Sequence, residues 1–178
     1  MRVIAGIHKG RRLQAPGGLE TRPTSDRVRE ALFSILGERV VDARVLDLFA
    51  GSGALGIEAL SRGAARATFV DNAAPAIRAI GANLEALGAD AEVVRAEVRR
   101  FLGGASRSAR QYDLLFLDPP YRLAASLGGD LSEPLMGVMA PGATVVVESD
   151  RRAPLEIDLP LHHERRYGDT LIRIHGSR

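Results

Sequence analysis

The chain has 178 residues, 46% of them apolar and 26% charged, with a net charge of +2; that is most simply one globular domain with room for a three-layer core, not a disordered or fibrous chain. It has no cysteine, which excludes disulfides, a thiolate nucleophile and Cys-based zinc sites, and His8, His162, His163 and His175 stand in no ligand spacing, so no metal is expected. No run of 18 apolar residues and no signal-peptide core is present, so a cytoplasmic protein without a membrane partner is expected.

Charge is uneven. The first forty residues carry eight Lys/Arg against four Asp/Glu, a basic lobe that suits an anionic macromolecule. Residues 2–5 and 11–15 read as two short strands of a hairpin. Val28, Ala31, Leu32, Ile35 and Leu36 then form an apolar stripe at helical spacing. Thr24, Ser25 or Asp26 can cap that helix and Gly37 can end it. Arg22, Arg27 and Arg29 cluster at its start, where the helix dipole favours anions.

The run 45–60 organises the rest of the chain. An apolar strand ends at Asp47-Leu48-Phe49, breaks at Gly51-Ser52-Gly53, and resumes at helical spacing. Gly51, Gly53 and Gly56 match G-x-G-x-x-G in a strand-to-helix setting. Gly51 can turn with positive φ, Gly53 lets a ligand approach the backbone, and Gly56 lets helix and strand pack closely. Residues 67–71 form a second strand ending in Asp71. A helix at 75–87 stops at Gly88, a third strand covers 91–95, and a short helix 97–102. Residues 103–110 read as a loop. The fourth strand, 112–118, is apolar nearly throughout and ends at Pro119-Pro120-Tyr121. Residues 127–139 are partly helical, 143–149 make a fifth strand, and 162–167 and 170–175 flank Gly168-Asp169 as a hairpin. The alternation predicts an α/β fold: a three-layer Rossmann-like sandwich, mostly parallel and seven-stranded, with an antiparallel C-terminal hairpin. Residues 1–37 form a basic hairpin-helix extension and 38–178 the cofactor-binding domain.

Ligands of open α/β sheets bind beyond the carboxyl ends of the strands, which gathers Gly51, Gly53, Asp71, Glu97 and residues 118–121 around one crevice. Asp71 follows Gly51 at the distance from which a carboxylate reaches a ribose. Glu97 can meet an adenine amino group or cap the helix it begins. Asp47 just before the glycine loop is awkward for a pyrophosphate and suits a cofactor bearing an ammonium and a sulfonium. In Asp118-Pro119-Pro120-Tyr121, the carboxylate and the Pro119 carbonyl can each accept a hydrogen from an exocyclic amine. The prolines remove backbone donors, and Tyr121 can stack on a base. The glycine pattern alone also permits a NAD-dependent oxidoreductase, and a non-catalytic RNA-binding module stays open.

Residues 47–53 and 118–121 resemble the cofactor and catalytic loops of Rossmann-like, S-adenosylmethionine-dependent amino-methyltransferases. RVIAG from Arg2, Gly10-Arg11 and TRPTSDRVREALFSIL from Thr21 resemble the bacterial 16S rRNA guanine-N2 methyltransferase family of the RsmD type. The DPPY loop is shared with DNA adenine-N6 methyltransferases, which remain an alternative on that loop alone. The resemblance implies methyl transfer from S-adenosylmethionine to a guanine N2 of 16S rRNA, free or in a 30S particle, by a monomer. It implies cofactor contacts from Asp47, Phe49, Gly51, Ser52, Gly53, Asp71, Asn72, Glu97 and Val98. Catalysis would fall to Asp118, Pro119, Pro120 and Tyr121, and RNA contacts to Arg2, Lys9, Arg11, Arg12, Arg22 and Arg27.

Overall fold

Alternating apolar runs and amphipathic stretches fold as the period predicts in a computed structural model, which describes residues 1–17, 25–120, 127 and 131–176. In chain order the elements are α1 (Asp26–Leu36), a 3-10 turn (Gly37–Val40), β1 (Arg44–Leu48), α2 (Ala54–Ser61), β2 (Arg66–Asp71), α3 (Ala74–Leu87), β3 (Glu92–Arg95), α4 (Val98–Arg107) and β4 (Tyr112–Leu117). A helix α5 at residues 131–136 precedes β5 (Met139–Asp150), β6 (Leu161–Tyr167) and β7 (Thr170–Gly176). The seven strands form one sheet in the order β3-β2-β1-β4-β5-β7-β6. Pairing is parallel from β3 to β5 and antiparallel at β5–β7 and β7–β6, which is the predicted seven-stranded sandwich.

Register decides which residues share a face, because side chains alternate along a strand. Asp47 pairs with Phe69 and with Phe116, and Phe116 with Val146. Phe69, Phe116 and Val146 belong to a core shared with Leu32, Phe33 and Leu36 of α1, Ile57 of α2 and Ile80 of α3. Leu46, Val70, Leu115, Leu117 and Val147 point the other way, into a core completed by Val98, Phe101 and Leu102 of α4 and Leu131 and Leu135 of α5. One face of the sheet thus carries α1, α2 and α3, and the opposite face α4 and α5.

Two local expectations are corrected. Residues 2–5 and 11–15 run antiparallel as expected, with Val3 N–H donating to the Arg11 carbonyl (2.9 Å) and Leu13 N–H to that of Met1 (3.1 Å), but they share a single bridge, Arg2 to Arg12, and are not extended strands. Long-range polar contacts to buried side chains also hold the segment. Glu58 of α2 accepts from the N–H groups of Ile4 (2.7 Å) and Ala5 (3.0 Å), and the Ser61 hydroxyl accepts from His8 N–H (3.0 Å). Gly6, at φ +83°, lies so close to Ser61 that a β-carbon there would fall 1.7 Å from its carbonyl oxygen. The second correction is α4, which runs through Gly103 and Gly104 to Arg107. Each glycine disfavours helix by about 1 kcal/mol, but burial of Phe101, Leu102 and Ala105 outweighs that cost.

Candidate active site

The glycine loop behaves as its spacing predicts, with one exchange of roles. Gly51 and Gly53 have φ of +57° and +78°, conformations glycine adopts without strain. Phe49, at φ +59°, adopts the same region at a steric cost, which marks the loop as a constrained turn. A β-carbon on Gly56 would come 2.4 Å from the Phe69 ring, so α2 and β2 approach as closely as expected. At Gly53 a β-carbon would meet Ile57, Ile80 and Phe69 at 3.3 Å, whereas at Gly51 it would meet only the Phe49 carbonyl oxygen at 3.9 Å. Open space therefore lies over Gly51 rather than Gly53.

Asp71, at the end of β2, accepts from Gly51 N–H (3.0 Å) on one carboxylate oxygen and from Ala73 N–H (2.8 Å) on the other. Each oxygen carries a further lone pair, so the carboxylate can hold the loop and also accept from two ligand hydroxyls. Asn72 beside it is exposed, its carbonyl accepting from Arg95 Nε at 3.2 Å. Asp47 lies beneath the loop, 2% exposed, and accepts from Gly56 N–H at 2.9 Å. Burial, with the charge of Asp71 adding to it against the Gly56 bond, pushes its carboxyl up to about 7. Ser52 is buried, and its carbonyl accepts from Asn83 Nδ2 at 2.9 Å.

Asp118 follows β4, half-buried, with Pro119 buried and Pro120 exposed. Burial raises its carboxyl well above the usual carboxylate range, and the charges of Glu148 and Asp47 raise it further. Tyr121 and Arg22 lie outside the described residues. Glu97 caps α4, accepting from Arg100 N–H at 2.9 Å; of the two roles open to it, the structure shows the cap. Val98 is buried in the core against α4's face of the sheet, which leaves its backbone N–H, in the first helical turn, as the group a cofactor contact would use.

The basic residues divide. Arg2, Lys9, Arg12 and Arg27 are exposed, Arg2 within 3.4 Å of Asp26. Arg11 donates to the Ala86 carbonyl near the end of α3 (2.5 Å). Arg29 is completely buried and presents nothing to an external anion, contrary to its place in the expected cluster. It donates to the Arg2 carbonyl and, at 3.0 Å, to Asp26. Burial lowers its tendency to hold a proton, while Asp26, Glu58 and Glu148 oppose that. Sequence reading missed Glu148, Glu58 and Asn83. Asn83 accepts from Gln14 N–H (2.7 Å) and donates to the Gln14 carbonyl (3.0 Å) as well as to Ser52, tying the N-terminal segment to the glycine loop.

The site is therefore acid-rich. Asp47 and Asp71 lie on the covered face with Phe69 and Phe116, Asp118 continues that face two residues beyond Phe116, and Glu148 two beyond Val146. Arg29 is the only buried arginine or lysine among the described residues. A pyrophosphate would meet carboxylates there; a cationic cofactor with a ribose would meet complementary charge, two open acceptors on Asp71 and the space over Gly51. Sheet order, glycine loop and acid-led proline loop together define a Rossmann-like methyltransferase of the S-adenosylmethionine-dependent class. The model of the family described as Conserved hypothetical protein 95 matches residues 1–176, and the chain belongs to that family. Ribosomal RNA small subunit methyltransferase D of Escherichia coli strain K12 is 38% identical over 188 residues, covering 98% of this chain and 89% of that protein. The solved structure of yhhF from Escherichia coli aligns with a TM-score of 0.87 at 38% identity over 100% of this chain and 98% of that one. The Thermus thermophilus 16S rRNA N2 G1207 methyltransferase, in complex with AdoMet and guanosine, shares the fold at a TM-score of 0.67 and 21% identity, covering 90% of this chain and 46% of that one.

Proposed function

We propose that the protein methylates the exocyclic N2 amine of a guanine in small-subunit ribosomal RNA, with S-adenosylmethionine as donor, in the bacterial cytoplasm. The observation that carries the reading is the acid row under the glycine loop, joined to Asp118-Pro119-Pro120 after the adjacent central strand. When bound, S-adenosylmethionine supplies an electrophilic methyl group on a sulfonium. Asp71 would hold the ribose hydroxyls, Gly51 would leave room over the loop, and Asp47 would answer the positive charge.

The chain's own task is to prepare a poor nucleophile. The lone pair of a guanine amine is delocalised into the ring. The Asp118 carboxylate and the Pro119 carbonyl each accept one amino hydrogen, which favours a pyramidal nitrogen and fixes the direction of its lone pair. Such positioning is worth about 7–11 kcal/mol when the geometry is near that of reaction. Positive charge developing on the nitrogen is stabilised by Asp118, which can then take the proton. Because the proline nitrogens carry no N–H, they offer no donor to compete for the base. Exposed Arg2, Lys9, Arg12 and Arg27 would hold phosphates of the surrounding RNA, with the target guanine outside a stack.

The test is Asp118→Ala. Methyl transfer to 16S rRNA is expected to fall by roughly 10²-fold or more, while calorimetry shows S-adenosylmethionine binding within a few-fold of wild type. An equal loss of cofactor binding overturns the catalytic assignment, and failure of the wild-type protein to label small-subunit RNA overturns the substrate.

A further inference from the structure

Glu148 ends the Val145-Val146-Val147 run of β5 and lies outside the glycine and proline loops. It is 4% exposed. The pairing of Leu117 with Val147 and of Phe116 with Val146 places the next residues up, Asp118 and Glu148, side by side on the face covered by α1. Asp47 approaches Asp118 from β1 on its other side. Glu148 and Asp47 both act on Asp118 through their charge, and Arg29 of α1 is a cation that acts on Glu148 in turn.

We propose that Glu148 is a positioning residue for methyl transfer, a non-reacting carboxylate that makes Asp118 responsive to the charge of the ligand bound beside it. The proposal rests on the methyltransferase reading. Two carboxylates a strand apart, one buried and one half-buried, resist ionising together. Before a cation arrives, the raised carboxyl of Asp118 favours its protonated form, an O–H donor and the wrong partner for an amine hydrogen. A sulfonium and ammonium nearby favour the ionised form, so cofactor binding sends the Asp118 proton to the buffer and leaves a two-oxygen acceptor ready for the amine. The product, a neutral thioether, supports less ionisation, and Asp118 takes a proton back.

Glu148→Gln keeps the shape and removes the charge. In the ligand-free protein, the Asp118 carboxyl ¹³C signal is expected to titrate at least ~1 pH unit lower in the variant. Calorimetry in buffers of different ionisation heat should show fewer protons released on S-adenosylmethionine binding, the remainder belonging to Asp47. The acid limb of kcat/KM should move to lower pH by a similar amount, and Glu148→Asp, which keeps the charge, should leave it in place. An unchanged Asp118 titration overturns the proposal. So does a uniform loss of kcat with an unmoved acid limb, the signature of a merely structural role. Absence of cofactor binding in the wild type would instead count against the methyltransferase reading, and the ligand-free titration would still decide the coupling.

Discussion

Asp47→Asn separates what the buried acid contributes to folding from what it contributes to binding. Its carboxyl is raised to about 7 against roughly 3.9 in an unfolded chain. A gap of about 3 units at 1.36 kcal/mol each amounts to about 4 kcal/mol. The sign comes from linkage. Below about pH 4 both states are protonated and the acid costs nothing; between about 4 and 7 the unfolded chain ionises first and stability falls; above about 7 the full penalty applies. An asparagine oxygen can still accept from Gly56, so the variant loses the ionisation penalty and keeps that bond. At pH 8 it should be more stable by up to about 4 kcal/mol, roughly 8–16 °C in Tm for a chain of this size. Urea denaturation followed by circular dichroism from pH 4 to 8 measures this. The comparison at pH 4, where both side chains are neutral, isolates the cost of placing an amide NH2. A stability difference that does not grow with pH refutes the reasoning, and S-adenosylmethionine should bind the variant more weakly despite its greater stability.

Two other perturbations test the scaffold of the site. Asp71→Ala should weaken S-adenosylmethionine binding by about 1.5–3 kcal/mol, and unaltered affinity in calorimetry would remove Asp71 from the ribose site. Asn83→Ala removes three hydrogen bonds and should destabilise the fold by about 2–4 kcal/mol while making the first 17 residues protease-sensitive; a loss under about 1 kcal/mol would show that the clamp is dispensable.

Much of the site was legible because its logic is local. The backbone needs of Gly51, the close packing at Gly56 and the end of β4 before Asp118-Pro119-Pro120 follow from neighbouring residues. Glu97 was legible as one of two roles, and its spacing to Arg100 decided for the cap. What escaped depends on distant partners. Glu148 reads as the polar end of a Val-Val-Val run, and only the β4–β5 register shows which residue it faces. Arg29 was grouped by charge with Arg22 and Arg27, although its spacing to Leu32, Phe33 and Leu36 already placed it on the apolar side of α1. Residues 2–5 have the composition of a strand, but the N–H groups of Ile4 and Ala5 are satisfied by Glu58, more than fifty positions away. The extent of α4 was missed because glycine propensity was set against a buried face that no local window displays.

The pairing of β4 with β5 also bears on quality control during folding. A one-residue slip there would turn Glu148 toward the α4 and α5 core and Val147 toward the acids, burying a charge among leucines and leaving Asp118 without its neighbour. The misaligned chain would be inactive and conspicuously unstable together. Chains that survive proteolytic surveillance would therefore be those whose Asp118 and Glu148 already lie side by side.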